Sequence, residues 1–388
     1  MKRLVTIIIL LLAAEFAYSQ NEVRDYSSTE LFLLTCSSGS KTYSMYGHSA
    51  IRLRDTLAGI DEVYNWGVFD FSTPNFTYKF ARGRLDYLLG VYSYNTFLRD
   101  YFNEERSVIS QRINLTDKQI GILKELLIEN QLEENRYYRY DFFMDNCATR
   151  IRDILEQTLG DELIYPEYDE KDIPSYRERI DEYQGIYFPW LDMGIDLLLG
   201  SPADSECGFR ESMFLPDYLA KNLSAARVSA NSTAYPLLDS PVTILDFDKT
   251  IPANLLLLRP WFILSLLSLV LIFATFRIKN TLVQNLFDIV FFTVFMGLSF
   301  VMIFTNYLTD HLAMGNNFNM IWLNPLLLFA PVIMFFKKNR LFWQILVASI
   351  LVFMVVIVFA SQSINPAFIP IMVLLLSRCW YRLNSSTR

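Results

Sequence analysis

Asp145-Asn146-Cys147-Ala148-Thr149-Arg150, read together with Tyr46-Gly47-His48-Ser49-Ala50-Ile51-Arg52-Leu53, decides how the first two thirds of the chain fold. Asn146 is a helix-capping residue type, and Cys147, Ile151, Ile154, Leu155 and Leu159 recur at a 3.6-residue period, so a helix is expected with Cys147 in its first turn. His48 opens an alternating run that reads as a strand. A thiol is a nucleophile only as the thiolate, and helix N-terminal amides and a nearby imidazole both favour that form. A cysteine on a helix start facing a histidine on a strand is therefore the arrangement of papain-type chemistry. The helix end also offers N–H groups to an oxyanion. Asn65, on the following strand, is the expected third member, orienting His48, with Tyr64 and Asp70 as the alternatives. A blander reading coexists, because Cys147 lies on the apolar stripe of its own helix and burial alone would account for it. Cys36 is a rival nucleophile, and Cys36 and Cys207 could form a disulfide in an oxidising compartment.

Working outward, Glu30–Thr35, Gly47–Arg54 and Glu62–Phe69 read as strands, the last two joined by a turn at Ala58-Gly59. Thr116 and Gln119 form a capping box ahead of a helix over Ile120–Leu132. From Ile186 to Leu219 the chain is aromatic and punctuated by proline. Within it, Phe188–Leu199 reads either as a core helix or as one lying in a membrane interface. Residues 221–250 read as a linker, and no repeats are visible.

The remainder is of a different kind. Hydrophobic residues make up 52% of the 388 and mean hydropathy is +0.24, too apolar for an ordinary soluble enzyme. Between Asn21 and Asn254 there are 38 acids and 23 bases, whereas from Leu255 onward there are nine bases and two acids. The acidic section excludes a nucleic-acid binder, which needs a basic footprint. Lys2 and Arg3, the apolar Val5–Ala14 and Ala17-Tyr18-Ser19 read as an export signal over residues 1–19. Residues 21–254 would then be exported, and 255–388 form an all-α membrane domain. Its five apolar segments are Pro260–Phe276, Leu286–Leu308, Ile321–Phe336, Leu341–Ser361 and Ile364–Trp380. With the N-terminal side outside, eight bases fall inside and none in the outer loops, which fits the positive-inside rule.

His311 then lies outside, on the side of His48. With Asn316, Asn319, Trp322 and Asn324 it forms either a polar collar for a lipid headgroup or an amine, or a hydrogen-bonded interfacial turn. Asp288 is an intramembrane acid near the cytoplasmic end of its segment, where it is expected to snorkel. Two histidines without clustered cysteines are a poor ligand set, and no phosphate-binding glycine motif occurs, so neither metal nor cofactor is expected.

The sequence also resembles a known family, the Bacteroides-type lipoprotein N-acyltransferases (Lnb). The resemblance rests on Tyr43-Ser44-Met45-Tyr46-Gly47-His48-Ser49-Ala50-Ile51-Arg52, on Asp145 to Arg150, on Pro189-Trp190, on Gly200-Ser201-Pro202-Ala203-Asp204 and on Met213-Phe214-Leu215-Pro216-Asp217-Tyr218. It continues through Thr309-Asp310-His311 and Trp322-Leu323-Asn324-Pro325, and departs at Ala148, where threonine is more usual. It implies an α+β, circularly permuted papain-like exported domain, similar to NlpC-type hydrolases and lecithin:retinol acyltransferase, followed by the five-helix membrane domain. It further implies His48 as base, Cys147 as nucleophile, a membrane phospholipid as acyl donor, diacylated lipoproteins as acceptors, and residence in the inner membrane. A membrane-tethered cysteine peptidase or amidase acting on cell-wall peptides would use the same pair. A non-enzymatic scaffold would need neither.

Overall fold

Alternating apolar side chains bring seven strands into one antiparallel sheet, with Leu31, Leu33, Ile51, Leu53 and Trp66 buried in the core on one of its faces. The computed structural model describes residues 26–167, 171–230, 233–248, 256–336 and 338–385. The expected export signal lies outside them. In chain order come β1 (Thr29–Cys36), β2 (His48–Asp55), β3 (Ile60–Val68), α1 (Phe76–Ala81), β4 (Asp86–Ser93), α2 (Tyr94–Asn103), β5 (Val108–Arg112), α3 (Asp117–Gln131), β6 (Tyr137–Arg139) and α4 (Cys147–Leu159). Then follow β7 (Leu163–Ile164), α5 (Tyr176–Tyr187), α6 (Pro189–Leu198), α7 (Pro216–Ala225), β8 (Arg227–Ala230), β9 (Thr233–Pro236) and β10 (Val242–Leu245).

The sheet order is β10-β5-β1-β2-β3-β4-β6. Helices α3, α4 and α7 cover one face through Leu123, Ile151, Leu155 and Leu219. On the other, α2 packs Phe97 and Tyr101 against Leu34, Ala50 and Val63. The 221–250 stretch is not the expected linker. It holds the end of α7, β8 and β9, which form a small sheet with the earlier β7, and β10, which extends the main sheet beside β5. Short strands with little apolar alternation carry weak sequence signals, and pairing with an existing edge decides their state.

The second half contains α8 (Pro260–Arg277), α9 (Thr281–Tyr307), α10 (Ala330–Ile333), α11 (Arg340–Val356) and α12 (Phe368–Ser385). Two of these, α8 and α9, are long and apolar enough to cross a membrane. The Ile321–Phe336 segment departs from the expected continuous helix: it is built of 3-10 turns at Phe318–Ile321 and Pro325–Phe329 followed by the short α10. Pro325 and Pro331 each remove a helical N–H. Asp288 does not snorkel. It is wholly buried and ion-paired with Arg378 and Arg382 of α12, while Arg378 Nη1 also donates to Thr275 Oγ1 at 3.0 Å and Gln284 Oε1 at 2.8 Å. One polar cluster thus ties α8, α9 and α12 together.

The two halves meet along a hydrogen-bonded seam. Arg84 grips Asp310 at 2.7 Å, the Asp310 amide donates to Arg82 O, and His311 Nε2 lies 3.2 Å from Phe80 O. Further along, Gly200 N donates to Ala313 O and Asn365 Nδ2 to Asp196. Helix α6 belongs to this seam, since Met193 and Leu197 pack against the core of the membrane half.

Candidate active site

Residue Gly47, immediately before the strand, sets where His48 begins. Its φ is +82°, and a Cβ there would stand 2.8 Å from Cys36 O, so only glycine lets β2 start here against β1. On the helical side, Asn146 caps α4 with Oδ1 accepting from the amides of Ala148 at 2.8 Å and Thr149 at 3.0 Å. Asn146 Nδ2 reaches back to Phe142 O and Phe214 O, which anchors the helix start. Cys147 is fixed as the first residue of α4 and hydrogen-bonded to His48.

His48 Nε2 in turn bonds Asn65 Oδ1, which leaves Nδ1 to face the thiol. The structure therefore brings together the three residues expected at the site. The alternatives for that place do not take it: Tyr64 is buried in the sheet core, and Asp70 is exposed and bonded to Ser72. The residue behind Asn65 is Tyr92, whose hydroxyl accepts from Asn65 Nδ2. In this placement the amide oxygen meets the imidazole and the amide nitrogen meets the Tyr92 hydroxyl. Sequence reasoning missed Tyr92 because its strand, β4, joins Asn65 only through sheet pairing.

The electrostatics follow from these contacts. Burial alone would raise the Cys147 thiol, but the adjacent His48, its hydrogen bond and the backbone N–H groups of Ser49 and Ala148 together hold it below its usual value. Burial pulls His48 down, and Cys147 and Asn65 more than offset this, so the imidazole is raised. Each shift favours a thiolate–imidazolium pair. Cys36 behaves oppositely: it is fully buried and pushed up to about 12. Cys207, in a separate core cluster, is likewise raised to about 12 by burial. Both are free thiols, so the disulfide considered from the sequence is absent.

The collar candidates are placed elsewhere. His311 packs over Gly83 in the seam. The Asn316 carbonyl accepts from Ser201, and Asn319 is buried with Oδ1 accepting from Trp322 Nε1 at 3.0 Å. Asn324 Nδ2 donates to Ser349 Oγ at 2.8 Å. The side chains of Asn319 and Asn324 bond within the protein, Trp322 is 1% exposed, and Asn316 is exposed. Among the described residues, Asp181, Asp192 and Asp196 form a carboxylate group of metal-ligand type, with Asn365 donating to the latter two and Arg177 to Asp196.

An aromatic path links the thiol to the seam. Tyr140, pushed up by burial and by Cys147 beside it, stacks on Tyr87 at 4.3 Å. Tyr87 meets Phe69, and Phe69 meets Phe76 on α1. Around α1, Phe71, Tyr78 and Phe80 are exposed next to the loop that holds Asp310 and His311.

Two family models match this chain. The Lnb N-terminal periplasmic domain matches residues 17–177, which include Cys147, His48 and Asn65, and the Lnb transmembrane domain matches residues 253–388. The chain belongs to the Lnb family. It is accordingly an integral membrane protein with a periplasmic N-terminal domain, in a family associated with acyltransferase activity and a lipoprotein N-acyltransferase-like role. No curated protein and no solved structure matches the chain. For this Lnb chain the sheet-rich first half and helical second half coincide with the two matched domains.

Proposed function

We infer that the protein is a phospholipid:lipoprotein N-acyltransferase working through Cys147. The observation that carries this reading is the Cys147–His48–Asn65 chain of hydrogen bonds within an Lnb periplasmic domain. In this reading residues 1–19 are an export signal and 21–254 a permuted papain-like domain on the periplasmic side of the inner membrane. Residues 255–388 cross that membrane five times, with the irregular 318–333 stretch as the third crossing.

The Cys147 thiolate attacks the ester carbonyl of a membrane phospholipid. The tetrahedral intermediate collapses, the lysophospholipid oxygen takes a proton from His48, and the acyl chain remains as a thioester on Sγ. The α-amine of a diacylated lipoprotein's N-terminal cysteine then attacks, His48 takes its proton, and the amide leaves as the thiolate re-forms. Thioester to amide is downhill, so the residues present suffice. Asn65 holds the imidazole throughout, with Tyr92 holding Asn65. The aromatic path from α1 to Tyr140 supports an apolar route for acyl chains and a site that excludes competing water.

The test is mass spectrometry of a lipoprotein N-terminal peptide from cells lacking their own N-acyltransferase and expressing either this protein or Cys147→Ser. A third, amide-linked chain with the parent and none with the variant is expected. Diacylated lipoprotein in both, with the protein inserted, would overturn the reading and turn attention to peptidoglycan peptides as substrate.

A further inference from the structure

The thiol site holds one buried polar group that the mechanism above does not use. Tyr138, on β6, is 7% exposed, and its hydroxyl has no hydrogen-bond partner among the described residues. A buried hydroxyl without a partner is costly, and such groups are uncommon in folded proteins. Its position is informative. Gly67 sits in a bulge of β3 with φ +90°, and the space a Cβ would fill there is bounded by Cys147 Cβ at 3.6 Å, His48 Cε1 at 3.8 Å and Tyr138 Oη at 3.9 Å. Cys147, His48 and the unsatisfied Tyr138 hydroxyl therefore border one small space that the backbone keeps open.

An oxyanion at that point finds one uncommitted amide at the helix start. Of the first three amides of α4, Asn146 Oδ1 takes two, and only that of Cys147 is left outside the cap. The Tyr138 hydroxyl, bordering the same space, stands ready as a further donor. The Arg150 guanidinium lies 4.2 Å from the Tyr138 ring centroid, polarising the phenol toward donation. Burial and the neighbouring Cys147 hold the phenol well above its ordinary value, so its proton stays in place.

We propose that the Tyr138 hydroxyl donates to the carbonyl oxygen of the acyl group under attack, and so stabilises both tetrahedral intermediates of acyl transfer. This rests on the acyl-enzyme reading above. As the Sγ–C bond forms, the C=O π pair moves onto oxygen, which Tyr138 holds without giving up its proton. As the C–O bond to the leaving alcohol breaks, the pair returns, and the alcohol takes its proton from His48. In the second half the same oxygen is held while the amine adds and Sγ leaves.

The experiment uses the full chain in detergent and Tyr138→Phe, which removes one oxygen. Three rates are measured: acylation of Cys147 by p-nitrophenyl butyrate, acylation by phosphatidylethanolamine in mixed micelles, and alkylation by iodoacetamide, whose transition state has no oxyanion. The expected result is a fall of about 100-fold in acylation with alkylation unchanged. Unchanged acylation would overturn the proposal. So would acylation and alkylation falling in parallel, since Tyr138 would then act on the thiolate or the fold. If the parent reacts with the aryl ester and not the phospholipid, the lipid-substrate reading falls while the aryl ester still judges Tyr138. A parent inert to both esters overturns both.

Discussion

Two buried polar clusters of this molecule are built on opposite terms. In the membrane half, Asp288 is surrounded by Arg378, Arg382, Thr275 and Gln284, joined by charge-assisted hydrogen bonds. In the periplasmic half, Cys147 has His48 and two amides, Asn65 and Tyr92 complete a chain behind the histidine, and Tyr138 is left with nothing. The first cluster crosses three helices and aims its polar groups at one another. The second aims several at one empty point. Satisfied polar networks fix a structure, whereas an unsatisfied one stores binding capacity for a group that arrives later.

Breaking each cluster at its centre should separate stability from activity. Cys147→Ser is expected to lower acyl transfer by at least about 10⁴-fold, measured by thioester formation, with thermal unfolding unchanged. Asp288→Ala should do the reverse in kind: it leaves two arginines buried without their carboxylate and costs about 3–5 kcal/mol of stability. Detergent-solubilised thermal melts check it, and a wild-type Tm would remove the structural role assigned to the cluster. Asn65→Ala frees the imidazole and should reduce acylation by about 10²-fold, within the range typical of general acid–base contributions. Tyr92→Phe, which only releases the amide, should cost less.

The thiol comparison is sharper still at the level of protonation. Iodoacetamide at pH 7 should label Cys147 and leave Cys36 and Cys207, raised to about 12, untouched. Because Cys147 is lowered and His48 raised, reactivity should rise from below the ordinary thiol range, and His48→Ala should move that rise to higher pH. The smallest effect concerns the seam. Asp181 is raised to about 7 by burial and by Asp196 and Asp192, so the folded chain holds a proton that the unfolded chain loses near the model-compound value of 3.8. Stability should therefore decline as pH rises from about 4 through about 7. Asp181→Asn should lessen that decline, Asp192 (raised to about 6) keeping part of it, and raise Tm at pH 8 by a few degrees.

Much of this was legible from sequence because it is local. The cap at Asn146, the box at Thr116 and Gln119, the strands around Ala58-Gly59 and the apolar segments of the tail all depend on residues a few positions apart. His48, Cys147 and Asn65 could be named because scarce residue types sat on recognisable element starts. What lies across strands or between halves could not be read. Tyr92 and Tyr138 reach the site only through the pairing of β4 with β3 and β6 with β4, and tyrosine is too common in this chain for its identity to stand out. Asp288 meets its arginines ninety residues or more along the chain, and β10 is a strand only because β5 offers an edge. Local chemistry wrote the elements and the reactive pair into the sequence. Tertiary packing alone decided which polar groups are satisfied, and Tyr138, among those left unsatisfied, borders the site of the thiol.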